Sequence, residues 1–252
     1  MKIKAILFFC LITVSAMAQM SPYGAPPPPP SSYEANMPDE WGARYFHFGL
    51  NFTPGIYWTS PTTSNNTSNG TSFGYGYGAN LEFYFTRNYG FLTGFEVSEI
   101  GAKYINTNQN PSSNTIDSTI THNEAIQYLQ IPFELKLKTV PFGNLRYYGV
   151  LGLDFGFRLK ATDDYTTSVT PVYAPGPTSG TYYFSGNNSD ISNQTDFFRV
   201  SLVIGLGAEY AIAGSTALQA SLSYNNCFTN LNGTGSNGVN VKGIELMLGL
   251  LF

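Results

Sequence analysis

The sequence predicts an all-β fold: an eight-stranded antiparallel up-and-down transmembrane β-barrel of the outer-membrane type, preceded by a signal peptide and a proline-rich tether. Three observations carry this. Eight segments alternate apolar residues with small or polar ones at a period of two, which is the strand signal. The connections between them alternate short and long. The last segment stops on an aromatic, Phe252, as the final residue. A soluble strand buries its apolar face, whereas a membrane barrel turns it to lipid and keeps polar residues in the lumen.

Composition agrees. Charged residues make up only 11% of the 252-residue chain and aromatics 15%. This fits a surface divided between lipid and polar loops better than a soluble enzyme. After the N-terminus no apolar run of about 18 residues occurs, so no membrane helix is predicted.

Residues 1–18 read as a secretory signal. Lys2 and Lys4 supply the positive end, Ile6 to Val14 the short apolar run, and Ala16-Met17-Ala18 the cleavage site. Its removal takes Cys10 and leaves Cys227 alone, so no intrachain disulfide is expected. It also removes two lysines from a chain of net charge -4. The resulting acidity argues against nucleic acid as a partner. Residues 19–43 carry Pro22, Pro26 to Pro30 and Pro38. Such a run favours extended polyproline II and builds no core, so it reads as a periplasmic tether before a barrel domain at 44–252.

The eight segments follow in order. The first sets Phe46, Phe48, Leu50, Phe52, Ile56 and Trp58 against His47, Gly49, Asn51, Thr53 and Gly55. The second sets Phe73, Tyr75, Tyr77, Leu81 and Phe83 against Gly74, Gly76, Gly78, Asn80 and Glu82. The third starts at Tyr89 and loses its alternation near Glu99, which suggests a bulge. The fourth carries Leu129, Ile131, Phe133, Leu135 and Leu137, and the fifth Tyr147, Leu151, Leu153, Phe155 and Phe157. The sixth runs from Phe198 to Tyr210, the seventh from Leu218 to Phe228, and the eighth from Ile244 to Phe252.

Eight is an even number, as single-chain bacterial barrels require. Short connections lie at 86–88, 139–144 and 213–215, and long ones at 59–72, 107–125, 161–196 and 229–238. Long loops outside and short turns in the periplasm are the outer-membrane arrangement. Phe46, Phe85, Tyr89, Tyr210 and Phe252 fall near the short turns, and Trp58, Phe73, Tyr75, Phe198 and Phe228 near the long loops. Two aromatic belts flanking an apolar band suit the two interfaces.

The segment Tyr128-Leu129-Gln130-Ile131-Pro132-Phe133-Glu134-Leu135-Lys136 resembles the Y-L-x-I-P-x-x-L-K strand of the PorT-like outer-membrane β-barrel (porin-family) domain proteins of Bacteroidota. The resemblance covers roughly residues 44–252. It implies this barrel fold in the cell outer membrane. Some relatives serve protein secretion, so it admits, without specifying, a place in a secretion machine.

Chemistry is sparse. His122 lies near Asp117, Ser118 and Thr121, and a Ser–His–Asp set can be drawn there, but adjacency in a polar loop is weak ground. His47 reads as an inward hydrogen-bonder. Asp163, Asp164, Asp190 and Asp196, with Asn187 and Asn188, offer calcium-type oxygens but match no calcium-loop spacing and read as solvated acids. Gly74-x-Gly76-x-Gly78 follows strand alternation, so these glycines make room for the inward tyrosines Tyr45, Tyr57, Tyr84 and Tyr148 rather than for phosphate. Asp117-Ser118-Thr119 resembles a short O-glycan acceptor centred on Ser118. No catalytic residue, cofactor or metal is expected.

The lumen face carries both signs of charge. Eight strands leave an interior that side chains can fill, and buried charges need partners. An inward ion-pair network is therefore expected among Glu96, Glu134, Lys136, Asp154, Arg158, Arg199 and Glu245, with Glu96 beside Lys136 and Asp154 beside Arg199. Phe252 is expected to act as the insertion signal read by the barrel-assembly machinery. The partners are then outer-membrane lipid, that machinery, and an envelope protein met through the four outer loops or the tether. The functional expectation is a structural anchor or interaction protein with a filled lumen; a narrow channel for small solutes is the alternative.

Overall fold

The computed structural model describes residues 45–109, 116–169, 181–232 and 238–252. The expected signal peptide and tether lie outside them. Ten strands occur among the described residues: β1 (Phe46–Pro61), β2 (Asn66–Ser68), β3 (Thr71–Tyr84), β4 (Tyr89–Gln109), β5 (Ile116–Lys138), β6 (Leu145–Val169), β7 (Tyr182–Asp190), β8 (Phe198–Ala213), β9 (Thr216–Cys227) and β10 (Val239–Leu251). Eight of them form the ring, in the order β4-β3-β1-β10-β9-β8-β6-β5, and β5 pairs back onto β4 to close it. Every pairing is antiparallel. Closure leaves the ring no free edge, which is what a sheet needs in a medium with no water to satisfy its backbone. The short strands β2 and β7 are additions, pairing with β4 and β6.

Within the membrane band the alternation is apolar-out. Phe48, Leu50 and Phe52 on β1, Leu135 and Leu137 on β5, and Leu246, Leu248 and Leu250 on β10 are exposed, while His47, Thr53, Lys136, Lys138 and Glu245 are buried. Phe252 closes the seam: its N–H donates to the Phe48 carbonyl (2.7 Å), and its carbonyl accepts from the Phe48 N–H (3.2 Å).

The strands on one side are far longer than a bilayer requires. β4, β5 and β6 run for 21, 23 and 25 residues, against the 9–11 that cross a membrane. Much of the expected loops 107–125 and 161–196 is therefore strand. The reason is an inversion of the pattern. Beyond the band the outward face meets water, so Lys103, Asn123 and Lys160 point out and Ile100, Ala102, Tyr104, Ile126 and Ala161 are buried inside. The same inversion accounts for the broken alternation near Glu99. No bulge occurs there, since Glu99 sits in continuous register with Tyr75 and Gln127. The bulge at this height lies on β6, where Lys160 pairs with Gln127 and Arg158 with Tyr128, leaving Leu159 as the extra residue.

Candidate functional site

Three layers fill the lumen. The layer near the short turns is ionic. Lys136 Nζ lies 2.6 Å from both Glu82 Oε1 and Glu209 Oε1. Lys138 Nζ lies 2.9 Å from Glu209 Oε2 and 3.9 Å from Glu82 Oε2. The contacts to Glu209 are ion pairs off the hydrogen-bond axis. Gln219 Nε2 donates to Glu82 Oε1 (2.9 Å), and the Tyr84 hydroxyl donates to Glu82 Oε2. Each ammonium also sits over a ring, Lys136 over Tyr148 at 4.1 Å and Lys138 over Tyr84 at 4.0 Å. Lys136 and Glu209 are both 0% exposed. Two cations and two anions that balance is the form in which buried charge is tolerated.

Above this lies a cavity of about 70 Å³, lined among others by Asn51, Thr53, Glu96, Glu134, Asp154 and Glu245. It has room for several waters. Glu96 Oε2 accepts from Asn51 Nδ2 (2.5 Å) and Thr53 Oγ1 (2.8 Å). Glu245 Oε1 accepts from the Tyr57 hydroxyl (2.9 Å) and Asn225 Nδ2 (3.4 Å). Asp154 Oδ1 is buried without a partner. Arg199 reaches Asn225 Oδ1 (3.0 Å), Cys227 Sγ (3.4 Å) and the face of Tyr128.

The third layer is an apolar plug where the strands leave the membrane. Tyr57, Ile100, Ile126, Tyr128, Leu231 and Val241 belong to it, with Ile191 packed alongside. Segments between strands fold onto it: Asp196 N donates to Leu231 O (2.9 Å), and Leu231 N to Val239 O (2.6 Å).

Several expected partners change. Glu96 pairs across the sheet with Gln130, not Lys136. Six residues of β5 separate those two positions, about 20 Å at ~3.3 Å per residue. Asp154 lies opposite Ser201, and Arg199 opposite Gly156, two positions further out; its guanidinium turns to β9. Glu134 and Glu245 face the cavity, not a cation. Arg158 joins no carboxylate: its Nη1 donates to the carbonyls of Ser192 and Thr195 and holds down the segment after β7. Glu82 and Glu209 anchor the ion cluster; strand alternation turns each inward, but relative heights around the ring decide that they meet.

The glycine expectation holds for Gly74 and Tyr57 alone: Gly76 and Gly78 lie against Glu96, and Tyr84 and Tyr148 are accommodated by Gly90 and Gly207 instead. A Cβ on Gly74 would meet the Tyr57 ring at 2.7 Å, one on Gly90 the Tyr84 ring at 2.6 Å, and one on Gly207 the Tyr148 ring at 2.5 Å. Tyr45 is 75% exposed and is not inward.

Outside the membrane band the inner wall brings polar groups together on β4, β5 and β6. His122 Nδ1 lies 2.6 Å from Asp163 Oδ2. Ser118, by contrast, sits within β5 between Asn108 and Val169, and its Oγ accepts from Asn108 Nδ2 (3.2 Å). The partner of His122 is thus a β6 carboxylate rather than a serine from its own strand. Asp163 is 3% exposed and is no solvated acid. Asp164 and Asp190 accept from the backbone N–H groups of Asn188 (2.6 Å) and Ser192 (2.8 Å), as turn caps do.

The profile of the outer membrane protein beta-barrel domain family matches residues 17–231, and the chain belongs to that family. It is a protein of the cell outer membrane. Among solved structures it is similar to Neisserial surface protein A, at 14% identity and a TM-score of 0.41 over 81% of this chain and 95% of that one. It is similar to the attachment invasion locus protein Ail of Yersinia pestis, solved with the heparin analogue sucrose octasulfate, at 12% identity and a TM-score of 0.38 over 83% and 100%. OprG of Pseudomonas aeruginosa is similar at 13% identity and a TM-score of 0.38 over 85% and 99%. Comparison with the curated proteins gives no match.

Proposed function

We propose that this protein is a closed outer-membrane barrel that serves as a structural anchor and presents its outer extension to a partner in the envelope. One observation carries the reading: the lumen is crossed by the Lys136–Glu82–Glu209–Lys138 cluster at one level and by the apolar plug at another. A solute would have to break four ion pairs and open a packed apolar layer. The outer extension supports the interaction role. β7 pairs with β6 alone among the described strands, and Tyr182, Tyr183 and Phe184 on it are 53%, 73% and 61% exposed. Exposed aromatics beside an open strand edge suit protein contact.

Planar-bilayer recording tests closure. The expected result is no steady conductance from the folded wild type. Steady conductance would replace the anchor reading with the narrow-channel one. The PorT-like strand motif at 128–136 supports a finer proposal, membership of a secretion complex; copurification of a stoichiometric complex from native membranes is its expected outcome. Glycosylation of Ser118 is a separate proposal, read by a mature mass above that of the bare chain.

A further inference from the structure

On the inner wall of the outer extension, three neighbouring strands converge on one point. Glu124 and His122 are two apart on β5 and share its inward face. Asp163 on β6 is the cross-strand partner of Glu124, and Tyr104 on β4 that of His122. One ligand atom each from His122, Glu124 and Asp163 lies within 4.8 Å of the others. Glu124 and Asp163 are each 3% exposed. Two carboxylates placed directly opposite on a sheet repel each other, and burial deepens the cost.

Each group is also oriented from behind. The Tyr104 hydroxyl donates to Glu124 Oε1 (2.6 Å), and Asn232 Nδ2 donates to the Tyr104 oxygen (2.8 Å). The Asn123 N–H donates to Asp163 Oδ1 (3.1 Å). The His122 ring stacks on Tyr104, with centroids 4.6 Å apart. Outer hydrogen bonds that aim the inner groups are the usual surroundings of a metal ligand set. One atom lacks such support: Glu124 Oε2 is buried with no partner.

We propose that His122, Glu124 and Asp163 form a site for one divalent transition-metal ion, with Zn²⁺ the fitting probe. One imidazole nitrogen and two carboxylate oxygens are a ligand set zinc accepts in tetrahedral geometry, leaving a fourth position open. Ligand atoms on one tetrahedral ion lie about 3.3 Å apart when bonds are about 2.0–2.1 Å. The direct His122 Nδ1–Asp163 Oδ2 contact of 2.6 Å therefore opens to admit the ion between them, and Glu124 Oε2 gains the partner it lacks. The side chain of His122 is 20% exposed and that of Asp163 3%, so the ion enters past the imidazole. Bound there, it ties β5 to β6 above the membrane.

The test uses the mature protein folded in detergent, stripped with EDTA and titrated with Zn²⁺ by calorimetry. One saturable equivalent is expected, weakened at least tenfold in His122→Gln and in Glu124→Gln. X-ray absorption of the wild-type zinc complex should show a nitrogen and oxygen shell with the outer scattering of a single imidazole. That measurement needs no variant and stands even if a substitution impairs folding. Absence of saturable binding overturns the site. So does unchanged affinity in the His122→Gln/Glu124→Gln double variant, or sulfur in the first shell, which would place the ion at Cys227.

Discussion

Replacing Lys136 by Met removes one of two cations from a cluster that balances two carboxylates. Met matches the side chain out to Cε and lacks only the terminal ammonium, so the effect is chiefly electrostatic. Lys136 Nζ is 2.6 Å from an oxygen of both Glu82 and Glu209, and all three side chains are at most 1% exposed. After the change Lys138 alone faces both carboxylates, at 2.9 and 3.9 Å, and the cluster carries one uncompensated negative charge. Breaking a buried pair by removing one partner costs about 3–5 kcal/mol. Adding Glu82→Gln restores neutrality, and replacing a whole ion pair by uncharged groups is often near neutral. The double variant should therefore regain most of the loss, leaving about 1–2 kcal/mol for the Tyr84 and Gln219 hydrogen bonds, each on the order of 1 kcal/mol. Urea unfolding in lipid vesicles, followed by tryptophan fluorescence, reads both values, since Trp58 lies in β1. A single variant within 1 kcal/mol of wild type would refute the reasoning. A double variant no better than the single would refute it equally, because the loss would then be packing rather than charge.

Four further outcomes are expected. Ile204, 49% exposed and midway along β8 between Phe198 and Tyr210, should cost about 2–4 kcal/mol as Ile204→Arg if it faces mid-bilayer lipid; a cost near zero in the same urea assay would misplace the band. Gly74→Ala puts a Cβ 2.2 Å from the Glu99 carbonyl oxygen and 2.7 Å from the Tyr57 ring, so a loss of about 1–3 kcal/mol is expected, and wild-type stability would mean the tyrosine sits elsewhere. Burial pushes the Glu124 carboxyl up to about 7, the Tyr104 hydrogen bond pulling the other way and Asp163 adding to the rise. Its proton is then held more tightly folded than unfolded, so its contribution is fully present below about pH 4.5 and is lost as pH rises through 7; in EDTA the melting temperature should fall between pH 5 and 8, less so in Glu124→Gln, and equal slopes would count against it. Deleting Phe252, which bonds Phe48 at the seam, should lower the amount of folded barrel in outer membranes at equal synthesis, and unchanged levels would dismiss the insertion-signal role.

Alternation along the chain was enough to read the eight-stave ring, the facing of residues within the membrane and the sorting of short turns from long connections. Each follows from a period of two read against lipid, which is a local property: Leu135 and Lys136 differ in facing whatever the rest of the chain does. Two things needed the tertiary structure. One was where the membrane ends. Ile100, Ala102 and Tyr104 looked like a break in pattern because apolar-out becomes apolar-in once the outer surface meets water, and the height of that change depends on how the staves stand together. The other was pairing. Inward facing is legible residue by residue, but the relative height of two strands depends on register around a closed ring. Six positions of β5 separate Lys136 from the residue opposite Glu96, and that offset sends Lys136 to Glu82 and Glu209. For the same reason His122 looked like a loop residue near Ser118 and instead meets Asp163, 41 residues along the chain, because β5 and β6 continue together well beyond the bilayer.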